Sequence, residues 1–330
     1  MYDTAYHGPT LVERRILITG GAGFIGSNLV AYLLKHGVKK VRVLDNLISG
    51  SLENINSFRS DPRFEFIKGD IRELSDCMAA CSGMDLVCHQ AALGSVPRSV
   101  KEPHLTTSHN ISGFVNMVVA ARDNGIKRFV YASSSSVYGD HTTLPKVEDT
   151  IGIPLSPYAI TKYNNEVFAH NFASLYDMQF IGLRYFNVFG PNQSPDGAYA
   201  AVIPLFAKAC LTNQDILIHG DGLQTRDFTF VENVVQVNIK ALLTENTNAL
   251  NKVYNVGCGG RYSILQLAQG IIEYMDSPNT KIVHQAPREG DIRDSQASIQ
   301  LAKKLLHYDP QFDFWKGLQL TVAYFKEKLT

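Results

Sequence analysis

Arg15-Ile-Leu-Ile-Thr19-Gly20-Gly-Ala-Gly23-Phe-Ile-Gly26 decides the fold. A short apolar run rich in branched residues reads as a buried strand, and the amphipathic pattern from about Phe24 to His36 reads as a helix. Four glycines in seven residues, 20, 21, 23 and 26, mark the junction of the two. Glycine permits a tight turn and close backbone approach, and the first free N–H groups of the following helix face whatever sits over that turn. A strand, a glycine turn and a helix in this order form the setting in which a dinucleotide's pyrophosphate is bound. Gly20, Gly23 and Gly26 are therefore candidate cofactor residues.

The alternation continues downstream. Val41–Asp45, Phe64–Ile67, Leu86–His89, Phe129–Ser133 and Phe180–Arg184 are strand-like, and a long helical stretch runs from about Leu105 to Asn124. Strands alternating with helices predict an α/β fold, a Rossmann-type doubly wound parallel sheet covered on both faces. After Gly190-Pro191 the texture changes to loops rich in Pro, Gly, Asn and Asp. We therefore expect a dinucleotide-binding domain over 1–190, with an N-terminal extension over 1–14, and a smaller C-terminal substrate-binding lobe over 191–330. Val253–Gly257 is strand-like again, so part of 227–257 is expected to return to the first domain.

The 330 residues, 45% of them apolar, suffice for a large core, and the formal net charge of zero gives no electrostatic footprint for nucleic acid or an anionic membrane. Met1–Arg14 contains no signal-like apolar run, and no stretch reaches the roughly 18 apolar residues of a membrane span. Cys77, Cys81, Cys88, Cys210 and Cys258 form no C-x-x-C pair, which predicts reduced thiols in the cytoplasm and no metal site.

Asp45 closes the second expected strand, where a carboxylate accepts hydrogen bonds from ribose hydroxyls and repels a 2′-phosphate. The expected cofactor is NAD. Further on, Tyr158 and Lys162 stand at i and i+4, on one face of a helix. A phenol is a poor base at neutral pH unless cations lie nearby, and Lys162 together with a positive nicotinamide ring is expected to favour the tyrosinate.

The glycine spacing G-x-x-G-x-x-G, the serine cluster Ser133–Ser136 and the Tyr158-Ala-Ile-Thr-Lys162 segment together resemble the extended short-chain dehydrogenase/reductases that modify nucleotide sugars. The likeness runs through nearly the whole chain and is close to bacterial UDP-N-acetylglucosamine 4-epimerases. For the cofactor, it implies contacts from Phe24, Ile25, Asn46, Gly50, Gln90, Ala91, Ala92, Tyr185 and Val188, with Asp70 and Ile71 at the adenine. For the chemistry, it implies Ser134 as the catalytic serine beside Tyr158 and Lys162.

For a UDP-sugar substrate the resemblance implies Ser95, Ser134, Ser135, Ser136, Tyr158, Gln193, Ala201 and Val202. It adds Asn187 and Arg226 at the diphosphate, Arg288 and Asp291 as diphosphate and uridine contacts, and Ser295 in the pocket wall. Related dehydratases carry an Asp-Glu pair, and related decarboxylases a Glu, where this chain has Ser135-Ser136. Without a carboxylate to move protons at C5, oxidation and re-reduction at C4 remain, which is an epimerisation. The expected substrates are UDP-N-acetylglucosamine and UDP-N-acetylgalactosamine. The corresponding uronic acids, UDP-glucose/UDP-galactose, and a non-catalytic NAD-sensing role remain alternatives. The family also implies a homodimer.

Overall fold

The computed structural model describes residues 1–196, 200–287 and 293–329. Seven strands form one parallel sheet: β1 (Arg15–Thr19), β2 (Lys40–Asp45), β3 (Phe64–Lys68), β4 (Leu86–His89), β5 (Arg128–Ser134), β6 (Gln179–Tyr185) and β7 (Lys252–Val256). Their spatial order is β7-β6-β5-β4-β1-β2-β3. The chain runs outward from β1 to β3, then crosses to β4 on the other side of β1. That reversal leaves a crevice at the carboxyl ends of β1 and β4, the usual ligand position in such sheets.

Alternation along each strand sorts the two faces. Ile16 and Ile18 of β1 and Val41 and Val43 of β2 pack with α1 (Phe24–Lys35) and α8 (Val231–Leu243). Leu17, Leu44, Val87 and Phe129 point the other way, against α2 (Leu74–Cys81), α5 (Gly113–Asp123) and α6 (Pro157–Tyr176). Leu17, Val87 and Phe129 are wholly buried. Each such side chain contributes about 1.5–3 kcal/mol by leaving water, which explains strands that read as continuous apolar runs.

Between β4 and α6 lie α3 (Val96–Lys101) and α4 (Pro103–Thr107). The continuous helix expected to Asn124 is interrupted, because Ser108–Ser112 forms a π-turn between α4 and α5. The widened turn brings Asn110 inward, where its side chain accepts from Leu93 N (2.8 Å) and donates to Thr161 Oγ1 (3.1 Å). π-Turns recur where a helix serves a site.

The remaining chain builds a second core from α7 (Val202–Leu211), α9 (Ile264–Met275) and the final helix Phe314–Leu329, with Phe206, Ile218, Phe228, Leu267 and Phe314 buried together. α8 and β7 lie against the first sheet instead. The extension before β1 packs along α1: Tyr2 is buried, its hydroxyl bonds Asn28 Oδ1, and its N–H donates to Glu232 Oε1 (3.0 Å).

Candidate functional site

The glycine turn works by lacking side chains. Gly20 has φ +69°, and a Cβ on it would lie 2.8 Å from the Ala91 backbone, while a Cβ on Gly26 would lie 2.2 Å from Gly20 O. Any larger residue at Gly26 drives α1 off the turn. With both glycines in place, Gly20, Gly23, Phe24, Ile25 and Gly26 line one cavity with Asp45, Asn46, Ile71, Gln90, Ala91, Ala92, Tyr158, Lys162 and Tyr185. Residues expected from six separate stretches thus converge.

Asp45 is buried at this cavity and accepts from Ala22 N (3.0 Å) and Leu47 N (2.8 Å), which ties the end of β2 to the glycine turn. Burial pushes its carboxyl up, and the two N–H groups act against the rise. Each oxygen retains acceptor capacity for a ribose hydroxyl. A bare turn, a backbone N–H cluster at a helix start and a carboxylate at the adjacent strand end together fit a dinucleotide with free ribose hydroxyls.

Three expected cofactor residues stand differently. Gly50 backs onto Ala22, where a Cβ would meet its carbonyl carbon at 2.9 Å, and it lines no cavity wall. The Asp70 carboxylate turns to Arg72 (2.7 Å) and Asn46 (3.0 Å). Burial alone would raise it, but those partners hold it well below the usual carboxylate range. Val188 pairs with Thr229 in a two-residue strand beneath the second lobe. His109 is a lining residue the sequence did not suggest: its Nδ1 meets Leu105 O at 2.9 Å, leaving a buried Nε2 without a partner.

At the inner end of the cavity, Ser134 closes β5 and Tyr158 begins α6. The Ser134 hydroxyl stands beside the Tyr158 phenol and opposes the rise in phenol pKa that burial causes. Ser134 also accepts from Ser136 N (3.1 Å) and Ser136 Oγ (2.8 Å). Lys162 lies one turn along α6, with its ammonium 5.9 Å from the Tyr158 ring centre and donating to Ala132 O at 2.8 Å. Burial lowers Lys162 to about 8, and Glu166 on the next turn opposes the fall. Glu166 in turn is paired with Arg184 at 2.8 Å. Burial raises the Tyr158 phenol, and the Lys162 ammonium beside its ring is held by a carbonyl.

A second cavity contains Asn187, Val202 and Arg226, with Leu217, His219 and Phe228 beside them. Asn187 Nδ2 donates to Asp227 O (3.1 Å), and Arg226 Nη1 donates to Thr225 O (2.9 Å). Ala201 caps α7 next to this wall without lining it. Gln193 donates to Val188 O (3.2 Å) and keeps a buried Oε1 with no partner among the described residues. Ser95, at φ +94°, caps α3 by accepting from Arg98 N. Ser135 is half-buried beside Ser134. Ser295 lines neither cavity, and its N–H donates to Thr225 O at 3.1 Å. Arg288 and Asp291 fall outside the described residues.

Among the described residues no group of side chains is arranged to hold a metal ion, and no helix is long and apolar enough to cross a membrane. All five cysteines are free.

Residues 16–257 match the protein family described as NAD dependent epimerase/dehydratase. A UDP-glucose 4-epimerase of Mycolicibacterium smegmatis is 37% identical over 317 residues, covering 95% of this chain and 99% of the relative. The solved UDP-N-acetylglucosamine 4-epimerase of Methanobrevibacter ruminantium M1, in complex with UDP-N-acetylmuramic acid, superposes with a TM-score of 0.89 at 36% identity, covering 96% of this chain and 99% of that one. The UDP-glucuronic acid 4-epimerase of Bacillus cereus, solved with UDP-glucuronic acid and NAD, gives 0.86 at 32% identity, covering 95% and 99%.

Proposed function

We propose that this chain, which belongs to the NAD dependent epimerase/dehydratase family, inverts C4 of UDP-N-acetylglucosamine and UDP-N-acetylgalactosamine in a reversible reaction with bound NAD. The observation that carries the reading is that Tyr158 and Lys162 line the same cavity as the glycine turn and Asp45, with Ser134 beside the phenol. Bound NAD supplies a hydride acceptor and donor together with a positive ring that favours the tyrosinate. The protein supplies the rest.

Tyr158 takes the proton of the 4-hydroxyl, and Ser134 orients that hydroxyl and the phenol by hydrogen bonding to both. Lys162, held by Ala132 O, sets the field on the Tyr158 face of α6. Asn187 and Arg226 hold the diphosphate, for which a guanidinium gives paired, charge-assisted hydrogen bonds. Gripping the diphosphate while leaving the hexose loosely held lets the 4-keto sugar present its other face, since uniformly tight hexose binding would oppose the turn. Ser135 and Ser136 offer no carboxylate for proton transfer at C5, so elimination is not supported.

The test is incubation with UDP-sugars and no added cofactor. N-acetylhexosamine substrate carrying deuterium at C4 is expected to give epimer that keeps the label, with no solvent deuterium entering C5. The denatured protein is expected to release NAD or NADH. Solvent label at C5, exclusive turnover of uronic acids, or release of NADP counts against the reading.

The same chain is proposed to act as a cytoplasmic homodimer. Val96 and Val100 on α3 and Ile160, Tyr163 and Val167 on the adjacent α6 are exposed together. An apolar stripe of this kind suits a second copy of the same helices. Val167→Asp combined with Ile160→Asp is expected to halve the mass seen by sedimentation velocity. An unchanged mass would place the contact elsewhere.

A further inference from the structure

We propose that Asp227 is the positioning residue of the substrate cleft, its buried carboxylate gathering main-chain N–H groups from two distant loops and so fixing Arg226, Asn187 and Ser295 relative to one another. The inference rests on the UDP-sugar reading above. Asp227 is wholly buried and lines neither cavity. Its Oδ1 accepts from Cys258 N at 3.0 Å, and its Oδ2 accepts from Gly259 N and from Ala297 N, each at 3.0 Å. A Cβ on Gly257 would lie 2.7 Å from Oδ2, so the loop after β7 reaches this distance only because it begins with glycine.

Each group held this way leads directly to the cleft. Arg226 precedes Asp227 in the chain, and Asn187 donates to its carbonyl. Ala297 follows Ser295 by two residues, in a segment that Ser295 N–H also ties to Thr225 O. Gln296 Nε2 then donates to Gly259 O at 2.8 Å, closing a ring between the two loops. Burial pushes the carboxyl up to about 6 while the N–H groups act against the rise, so the site retains a group that costs free energy to bury. An apolar residue of similar size fills such a space with less penalty when packing alone is wanted. A carboxylate is needed where several N–H groups from different segments must converge on one point.

The asparagine variant separates positioning from filling. Asp227→Asn keeps the shape but replaces one acceptor oxygen by an NH₂ that faces backbone donors. Leaving buried donors without an acceptor is expected to weaken the cleft about tenfold or more.

In full-length protein with its bound cofactor, Kd for UDP by calorimetry and KM for UDP-N-acetylglucosamine are both expected to rise by that factor. The kcat and the NAD content should stay close to wild type, and amide exchange at Cys258, Gly259 and Ala297 should accelerate. Accelerated exchange with unchanged UDP affinity overturns the proposal, as does loss of kcat and NAD together with KM. If Asp227→Asn does not fold, Gln296→Ala opens the same ring from a side chain that lines neither cavity, and is expected to raise KM at constant kcat; an unchanged KM overturns the proposal. Wild-type protein that binds no UDP sinks the UDP-sugar reading, and this inference with it, whatever the exchange shows.

Discussion

Tyr158→Phe is expected to lower turnover of the UDP-N-acetylhexosamine by a factor on the order of 10²–10⁴, the usual contribution of a positioned general base. The substitution removes one oxygen from a buried site beside Ser134. The ring keeps its place on the first turn of α6, where Ser156 caps the helix by accepting from Ala159 N. Folding and NAD content should therefore hardly change. Turnover of C4-deuterated substrate should show a larger isotope effect, because the slowed step is the one in which hydride leaves C4 as the 4-hydroxyl loses its proton. Near-wild-type turnover would move the base to another group, and Lys162, which burial lowers to about 8, is the first to examine.

The parts of this site that the sequence made legible are those fixed by local spacing. Three glycines between a strand and a helix, a carboxylate at the end of β2, and a Tyr and Lys one helical turn apart depend on residues within a few positions of each other. Their backbone geometry follows from those positions alone. The pairing of Ser134 with Tyr158 crosses 24 residues, and only the resemblance suggested it.

Other features had no local signal. The π-turn at Ser108–Ser112 lies inside a pattern that a 3.6-residue period smooths over, so His109 reads as one more helical residue when it faces the cofactor cavity. Asp70 looks like an adenine contact by position, yet Arg72 two residues on claims its carboxylate. Val188, which the resemblance places at the cofactor, also enters a small strand that pairs with Thr229. The carboxylate of Asp227 gathers partners 31 and 70 residues away. Contacts of that range depend on the assembled fold.

The width of the sugar pocket gives the other large effect. Ser295→Tyr is expected to lose most activity on UDP-N-acetylglucosamine and UDP-N-acetylgalactosamine while keeping activity on UDP-glucose or UDP-galactose. Ser295 sits half-buried on the segment that pairs with Thr225, next to the Arg226 wall of the second cavity. Its own side chain lines neither cavity. The resemblance implies that a phenol ring at this position meets the side of the sugar where a 2-acetamido group projects. Forcing a ring into occupied space costs about 1–3 kcal/mol, and each ~1.4 kcal/mol is tenfold in kcat/KM. The acetylated sugars should therefore fall by roughly 5- to 150-fold relative to the plain ones. The comparison must be made as a ratio within one preparation, because a general disturbance of the Thr225 pairing would lower every substrate alike. Equal losses on acetylated and plain sugars would show such a disturbance, and no loss on either would show that another residue sets the pocket's width.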